Sequence, residues 1–269
     1  MTGKVYIVGA GPGAADLLTL RAATLLRAAQ VVLHDDLVSK EIVDLCPASA
    51  QVINVGKRYG QRGRSQEQIN ALMVWHARET EAQTIVRLKS GDPAVFGRLG
   101  EELDALRRAG VDFEIIPGIT AASAAAASAG ITLTDRNHAS TLVVITAHNV
   151  RGEKLRTAGF DPQRTSFAVY MPGPNYSKMA HELMASGVGA DMPCLLVSNA
   201  GRSDEKTCSF ILQDLLSAGP VETPAIMIVG RVAGRATGET EKDLNSLLAP
   251  AITALNDKPC VDAQVSARR

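Results

Sequence analysis

Three glycines near the start of the chain stand where a nucleotide-like ligand could approach the backbone. Gly9, Gly11 and Gly13 follow the apolar run VYIV and precede a helical pattern, so they are expected in a strand-to-helix turn. Gly9, Gly11 and Ala14 also satisfy the dinucleotide fingerprint G-x-G-x-x-G/A. Asp35 ends the second predicted strand, at about the distance of an acid that binds a ribose. This pattern by itself fits NAD, another nucleotide-like ligand or a simple tight turn.

A second turn could present polar groups to the same ligand. The sequence SGDP at residues 90–93 follows the strand pattern TIVRL. This order places backbone groups and the carboxylate of Asp92 at the carboxyl end of a strand, where ligands bind in open α/β sheets. An isolated SGDP is also compatible with an ordinary surface turn, and the residues alone leave that alternative open.

Elements that could position these turns alternate through the first half of the chain. The strand patterns are VYIV, VVLH, QVINV, TIVRL and FEII. Helices are predicted from Leu17, near Ile42, from Ser65 and over residues 98–109. Ser65 and Gln68 have the spacing of a capping box. The alternation predicts a mostly parallel α/β sheet, which we assign to an N-terminal domain over residues 1–117.

The second half of the chain predicts another α/β domain. Residues 119–129 are almost all small and suit a helix that packs closely against its neighbours. The strand patterns that follow are TLVVIT, SFAVYM, CLLVSN and AIMIVG. Their longer connections, rich in Gly and Pro, favour a mixed sheet in a domain over residues 118–236. Residues 237–269 lose the strand pattern and are predicted to be a helical or disordered tail.

Composition narrows the classes of function. Lys plus Arg equals Asp plus Glu at 28 each, so we expect neither nucleic acid nor a membrane as partner. The N-terminus lacks the pattern of a signal peptide and no apolar run is long enough for a membrane helix, so we expect a soluble cytoplasmic protein. The five histidines show no ligand spacing, and we predict no metal. The cysteines are widely spaced, which argues against a zinc knuckle or a disulfide framework: Cys46, Cys194, Cys208 and Cys260.

Six motifs stand in one order along residues 4–234. They are GAGPG, VGKR, QIN, RLKSGDPAVFGR, IIPGITAASAAAASAGITLTDR and VYMPG. Together they resemble the uroporphyrinogen III C-methyltransferases, which belong to the tetrapyrrole methylase family. The resemblance implies two α/β domains with S-adenosylmethionine in the cleft between them, and a homodimer. It also implies methylation of uroporphyrinogen III at C2 and C7 to give precorrin-2, in tetrapyrrole biosynthesis of the sirohaem and cobalamin type.

The resemblance also assigns roles to residues. Asp35 in LHDDLV would accept a proton, and Lys57 in VGKR would donate one. Arg98 and Glu101 in FGRLGEE, and Arg136 in LTDR, would contact the substrate. The substrate is an octacarboxylate, and guanidinium groups match carboxylates well. The methyl donor would be bound by Pro12, Ser90, Gly91, Asp92, Val95, Thr120, Ala121, Met171 and Ala200.

Several positions depart from the family pattern. Ser90 replaces a usual glycine, Asp135 stands in LTDR where LTHR is common, and Asp36 follows Asp35. The segment NAGRSDEK replaces the usual N-G-T followed by Gln. Added negative charge would weaken binding of an octacarboxylate. The two aspartates keep open a methyltransferase acting on a later precorrin, and Ser90 with NAGRSDEK keeps open a non-catalytic protein that binds S-adenosylmethionine or a tetrapyrrole. The glycine fingerprint with Asp35 keeps open a dinucleotide oxidoreductase.

Overall fold

A computed structural model of the chain contains two β-sheets within one compact unit, Met1–Ala236. The tail predicted over residues 237–269 lies, apart from Thr237, outside the residues that can be described. The structure describes residues 3–56, 64–147, 159–173, 176–218 and 222–237.

The first sheet is parallel throughout, as the sequence pattern predicts. Its strand order is β3-β2-β4-β1-β5, and each neighbouring pair runs in the same direction. In a parallel sheet all carboxyl ends lie at one edge, so the loops that carry the glycines, Asp35 and SGDP meet there. The strands are β1 (Lys4–Gly9), β2 (Val31–His34), β3 (Gln51–Asn54), β4 (Thr84–Lys89) and β5 (Phe113–Ile116).

Among the described residues, four α-helices accompany this sheet: α1 (Leu20–Arg27), α2 (Lys40–Val43), α3 (Gln66–Glu79) and α4 (Leu99–Arg108). The helix predicted from Leu17 begins later, because the Oγ1 atom of Thr19 accepts a hydrogen bond from the Ala22 N–H at 3.1 Å and caps α1. Ala15–Leu17 instead form a single 3₁₀ turn. The capping box at the start of α3 is confirmed, with Ser65 N–H donating to Gln68 Oε1 at 2.8 Å.

The second sheet is mixed, which confirms the prediction. Its order is β6-β7-β10-β8-β9; β6 and β7 run parallel, and the other neighbours are antiparallel. The sequence pattern does not predict the strand Lys206–Ile211 or the helix Tyr176–Ala185. The strands are β6 (Thr141–Thr146), β7 (Thr165–Tyr170), β8 (Pro193–Ser198), β9 (Lys206–Ile211) and β10 (Ala225–Val229). The helices are α5 (Ala121–Ser128) and α6 (Tyr176–Ala185), and 3₁₀ turns lie at Pro162–Arg164, Leu212–Leu216 and Arg231–Thr237.

Helix α5 explains the run of small residues. Ala122, Ala125 and Ala126 are buried in one cluster with Leu195 of β8 and Ile228 of β10. Methyl side chains allow the helix axis to approach the sheet closely, and larger residues there would overpack the core at a cost of about 1–3 kcal/mol.

Candidate active site

A cavity of about 390 Å³ opens where the carboxyl edge of the first sheet faces the second sheet. This size is typical of a small-molecule site. Most of the residues that the sequence assigned to a site line it: Pro12, Asp35, Ser90, Gly91, Asp92, Val95, Arg98, Thr120, Ala121, Met171 and Ala200. Glu101 and Arg136 are not among the lining residues. Lys57 lies outside the described residues.

Three loops meet through their glycines at one side of the cavity. Gly11 and Gly91 exchange backbone hydrogen bonds of 3.2 and 2.8 Å. A Cβ atom on Gly9 would lie 2.6 Å from the Gly118 nitrogen and 2.7 Å from the Gly91 carbonyl oxygen. These contacts are with backbone, which cannot move aside. The first glycine of GAGPG therefore allows the loops after β1, β4 and β5 to pack together.

The Asp92 carboxylate joins two of these loops. Its Oδ1 atom accepts a hydrogen bond from Ala94 N–H at 2.8 Å, and its Oδ2 atom accepts one from Gly118 N–H at 3.0 Å. Asp92 lines the cavity. Both carboxylate oxygens already bind backbone donors, so the immediate role of Asp92 is to shape the SGDP turn and fix it to the loop before α5.

Tyr170 positions the start of α5 and was missed by the sequence interpretation. Its hydroxyl group forms a short hydrogen bond with Thr120 Oγ1 and accepts another from Ala122 N–H at 3.1 Å. The Tyr170 ring lies 5.2 Å from the ring of Phe96, centroid to centroid. Tyr170 and Phe96 both line the cavity. Tyr170 lies in the motif VYMPG, from which the sequence analysis assigned a role only to the neighbouring Met171.

Backbone strain is concentrated at this cavity. Four described non-glycine residues have positive φ angles: Phe96 at 51°, Arg98 at 54°, Met171 at 49° and Asn199 at 53°. The first three line the cavity, and Asn199 precedes the lining residue Ala200. Such conformations cost about 1–3 kcal/mol each and persist where the surroundings enforce them, typically at functional sites.

Asp35 follows β2 and is held by a buried arginine. Arg87 Nη2 donates to Asp35 Oδ1 at 2.5 Å. The Arg87 side chain is 2% exposed, whereas that of Asp35 is 27% exposed and lines the cavity. The carboxylate is thus fixed on its protein side and accessible on its cavity side.

A second carboxylate lies behind Arg87. Glu102 of α4 is fully buried, and its Oε1 atom accepts from Arg87 Nε at 2.9 Å and from Lys89 Nζ at 3.0 Å. Burial, followed by the nearby charge of Arg87, lowers the pKa of Lys89 from its ordinary value. The sequence interpretation missed this cluster. Its one signal was a pair of cations at alternate positions of an otherwise apolar strand, TIVRLK.

The residues expected to contact the substrate lie in different places. Arg98 Nε and Nη2 donate to the two carboxylate oxygens of Glu101 at 2.8 and 2.6 Å. Arg98 lines the cavity, and both side chains are at least half exposed. Arg136 is exposed, and its carbonyl oxygen accepts a hydrogen bond from Arg164 Nη2 at 3.2 Å. The structure therefore brings Arg98 to the cavity with Glu101 beside it, and places Arg136 apart from the lining residues.

The two unusual aspartates do not line the cavity. Asp135 Oδ1 lies 2.9 Å from His138 Nδ1, and Asp135 Oδ2 accepts from Arg235 Nη1 at 3.2 Å. The bond to His138, with that to the Asn137 backbone, lowers the pKa of Asp135 to about 2. Asp36 Oδ1 accepts from Asn54 Nδ2 at 3.2 Å. Their charges are therefore engaged outside the lining.

Arg202, from the unusual NAGRSDEK segment, also lines the cavity. Its Nη2 atom donates to the Leu37 carbonyl oxygen at 2.5 Å, so this side chain links the loop after β8 to the loop after β2. Nothing in the sequence pattern predicted this contact.

Within the described residues, no group of three or more His, Cys, Asp or Glu side chains is arranged to hold a metal ion. No helix in the described part of the chain is both long and apolar enough to cross a membrane.

Comparison with known proteins identifies the class. Residues 4–216 match the family described as Tetrapyrrole (Corrin/Porphyrin) Methylases. A uroporphyrinogen-III C-methyltransferase of Paracoccus denitrificans is 45% identical over 240 residues, which cover 87% of this chain and 83% of the relative. One of Pseudomonas aeruginosa is 41% identical, covering 86% of this chain and 95% of the relative.

Solved structures agree. The native form of uroporphyrin III C-methyl transferase from Thermus thermophilus has a TM-score of 0.75 and 36% identity, covering 87% of this chain and all of that one. A second structure of the Thermus protein, complexed with S-adenyl homocysteine, has the same TM-score and 35% identity. The chain belongs to the tetrapyrrole methylases. The resemblance seen in the sequence is confirmed, and the dinucleotide interpretation of the glycine loop is set aside.

Proposed function

We propose that this chain transfers methyl groups from S-adenosylmethionine to C2 and C7 of uroporphyrinogen III, giving precorrin-2 for sirohaem- or cobalamin-type biosynthesis. The observation that carries the proposal is the cavity, in which the loops expected to bind the donor and the carboxylate expected to act as base lie together. Relatives named for this activity, at 41% and 45% identity over most of the chain, support it.

The cavity fits the donor in size and chemistry. Its volume of about 390 Å³ suits a nucleoside joined to an amino acid. Val95, Ala121, Met171 and Ala200 provide apolar wall, while Ser90 and Gly91 offer polar backbone at the end of β4. Donor bound there would supply an electrophilic methyl group on a sulfonium.

Positioning is the first task of the protein. Methyl transfer needs the pyrrole carbon in line with the methyl group, and correct orientation can contribute about 7–11 kcal/mol. The three glycine-packed loops and the strained residues Phe96, Arg98 and Met171 form a rigid frame for that alignment. Arg98 is a suitable partner for a substrate carboxylate, and Glu101 holds its guanidinium group in place.

Proton removal is the second task. As the new carbon–carbon bond forms and the bond between sulfur and methyl breaks, the macrocycle becomes cationic and must lose a proton. Asp35 faces the cavity and is the carboxylate we assign to accept that proton. Lys57 stays a predicted proton donor.

The test is an anaerobic assay with S-adenosylmethionine and freshly generated uroporphyrinogen III, in which the products are monitored by absorption spectroscopy and mass spectrometry. Two added methyl groups are expected. Asp35→Asn should lower kcat by about 100-fold or more while leaving donor affinity within about twofold, because general-base catalysis contributes 10²–10⁴-fold. Full activity of this variant would remove Asp35 as the base.

Absence of methylation by the wild type would overturn the proposed acceptor. Methylation of a later precorrin instead would move the activity to that substrate. Donor binding without turnover on any tetrapyrrole would favour the non-catalytic alternative, which the change of glycine to Ser90 motivates.

We further propose domains over residues 1–117 and 118–236, since β1–β5 lie within the first range and β6–β10 within the second. By resemblance, the active form is proposed to be a cytoplasmic homodimer. A mass of one chain by light scattering would contradict the dimer.

A further inference from the structure

We propose that Arg87, braced by Glu102, is a positioning residue that orients the Asp35 carboxylate for proton removal. This inference rests on the proposed function. It concerns a buried cluster that connects α4 to the cavity and that the motif-based assignment of roles does not include.

The guanidinium group of Arg87 is held on every side. Its Nε atom donates to Glu102 Oε1 at 2.9 Å, and its Nη1 atom lies 3.3 and 3.2 Å from the carbonyl oxygens of Leu33 and Leu88. Its Nη2 atom donates to Asp35 Oδ1 at 2.5 Å. A planar group with its donors engaged in three directions cannot rotate without breaking several buried hydrogen bonds. Because Arg87 is fixed to the sheet, its hydrogen bond to Asp35 Oδ1 fixes the orientation of the Asp35 carboxylate.

Glu102 holds the Nε side of the Arg87 guanidinium group; we call the pair Arg87 and Glu102 the brace of Asp35. Its Oε1 atom accepts from Arg87, from Lys89 at 3.0 Å and from Gln66 Nε2 at 3.4 Å. The side chain is fully buried, and within the described structure its Oε2 atom has no hydrogen-bond partner. Leaving a buried charged oxygen unsatisfied is costly, so this cluster is a poor device for stability alone.

Exposure of the side chains increases from Glu102 through Arg87 to Asp35. The side chain of Glu102, on α4, has zero exposure, that of Arg87 is 2% exposed and that of Asp35 is 27% exposed; Arg87 and Asp35 line the cavity, whereas Glu102 does not. The charges of Arg87 and Lys89 formally balance those of Glu102 and Asp35. Arg87 holds Oδ1 of Asp35, which leaves Oδ2 as the oxygen to receive the substrate proton. A base fixed by one oxygen keeps the other at a constant distance from the reacting ring.

Arg87→Lys is the decisive variant, because lysine keeps the charge but has a single ammonium nitrogen, which cannot reach Glu102, the two carbonyl oxygens and Asp35 together as the planar guanidinium fork does. We expect kcat to fall by about 10- to 100-fold, the range that a misplaced catalytic group produces, with KM and donor affinity within about twofold. Glu102→Gln keeps the shape of the side chain but removes the charge that binds Arg87, so it should also lower kcat.

A double-mutant cycle separates positioning from a general structural role. If Arg87 acts through Asp35, Arg87→Lys should reduce kcat by less than about twofold in the Asp35→Asn background. An equal reduction in both backgrounds would overturn the proposal, as would wild-type kcat in a folded Arg87→Lys protein.

The matched controls use a surface pair outside the cavity lining, Arg21 and Glu114, which are 3.1 Å apart. Arg21→Lys and Glu114→Gln should leave kcat within about twofold, since exposed pairs contribute little. Melting temperature and donor titration report folding for each variant. Loss of fold in both Arg87→Lys and Glu102→Gln would assign the cluster to stability and overturn the proposal. A wild type that does not methylate uroporphyrinogen III defeats the proposed function, whereas an active wild type with unaffected brace variants defeats only this inference.

Discussion

The side chain of Arg202 occupies the space that a Cβ atom on Gly13 would need. Such a Cβ would lie 2.4 Å from Arg202 Cγ and 2.8 Å from Arg202 Nε. The neighbouring Ala14 N–H donates to the Gly201 carbonyl oxygen at 3.0 Å, and Arg202 continues to the Leu37 carbonyl oxygen at 2.5 Å. The third glycine of GAGPG thus lets a loop of the second sheet close over the glycine loop of the first.

Gly13→Ala should displace Arg202 and weaken donor binding. Arginine is flexible and can move, so we expect the fold to survive and the hydrogen bond to Leu37 to be lost. A hydrogen bond of this kind contributes about 1 kcal/mol, which corresponds to about a fivefold rise in Kd for S-adenosylmethionine. Calorimetric titration measures it.

The double variant Gly13→Ala/Arg202→Ala tests the cause. Removing the long side chain relieves the clash, so the two substitutions together should weaken binding no more than Arg202→Ala does alone. Additive losses in the double variant would show that Gly13 acts through something other than Arg202.

Gly9→Ala is expected to be far more harmful than Gly13→Ala. Its new Cβ would lie 2.6 Å from the Gly118 nitrogen, and backbone cannot swing away as a side chain can. We expect a loss of at least about 1–3 kcal/mol in the free energy of unfolding, measured by urea denaturation. Gly100→Ala is the control, because nothing lies within 4 Å of its added Cβ and alanine favours the helix. Equal stability of Gly9→Ala and wild type would contradict the packing described for the three loops.

The elements that the sequence predicted are those with a local signal. Strands β1 and β4 are apolar runs bounded by turns, and the capping box at Ser65 is a matter of spacing, so both could be located without tertiary information. Strand β9 could not, because KTCSFI is mostly exposed at the sheet edge and is a strand only by pairing with β8.

The site residues also divide into those with a local sequence signal and those without one. Loop residues such as Pro12 and Gly91 were predictable because their motifs are contiguous. The pairing of Arg87 with Glu102 joins residues 15 positions apart, on a strand and a helix, and only packing brings them together. A charged residue in a buried strand gives no indication of its partner, so the brace behind Asp35 had to come from the structure.

Asp135 should contribute to stability in a defined pH range. Its pKa of about 2 lies below the ordinary value of 3.8, so the contribution is complete above pH 3.8 and is lost as the pH falls toward 2. Asp135→Asn removes the charge and should lower the melting temperature at pH 5, with the difference from wild type shrinking by pH 2.5. Thermal denaturation across that range measures it, with the exposed Asp104→Asn as control. A difference that stays constant with pH would contradict the pairing with His138 and Arg235.

Tyr170→Phe tests whether one hydroxyl group sets the start of α5 at the cavity. Phenylalanine keeps the ring against Phe96 but removes the partner of Thr120 Oγ1 and of the Ala122 N–H. An N–H left without its acceptor costs about 1–3 kcal/mol, so the free energy of unfolding should fall by that amount. Because Thr120 and Ala121 line the cavity, the Kd for S-adenosylmethionine should rise as well. Tyr6→Phe, whose ring lies under Lys4 and outside the cavity lining, is the control and should change neither quantity appreciably. A loss of stability with unchanged donor affinity would separate Tyr170 from the site and leave it a role in packing alone.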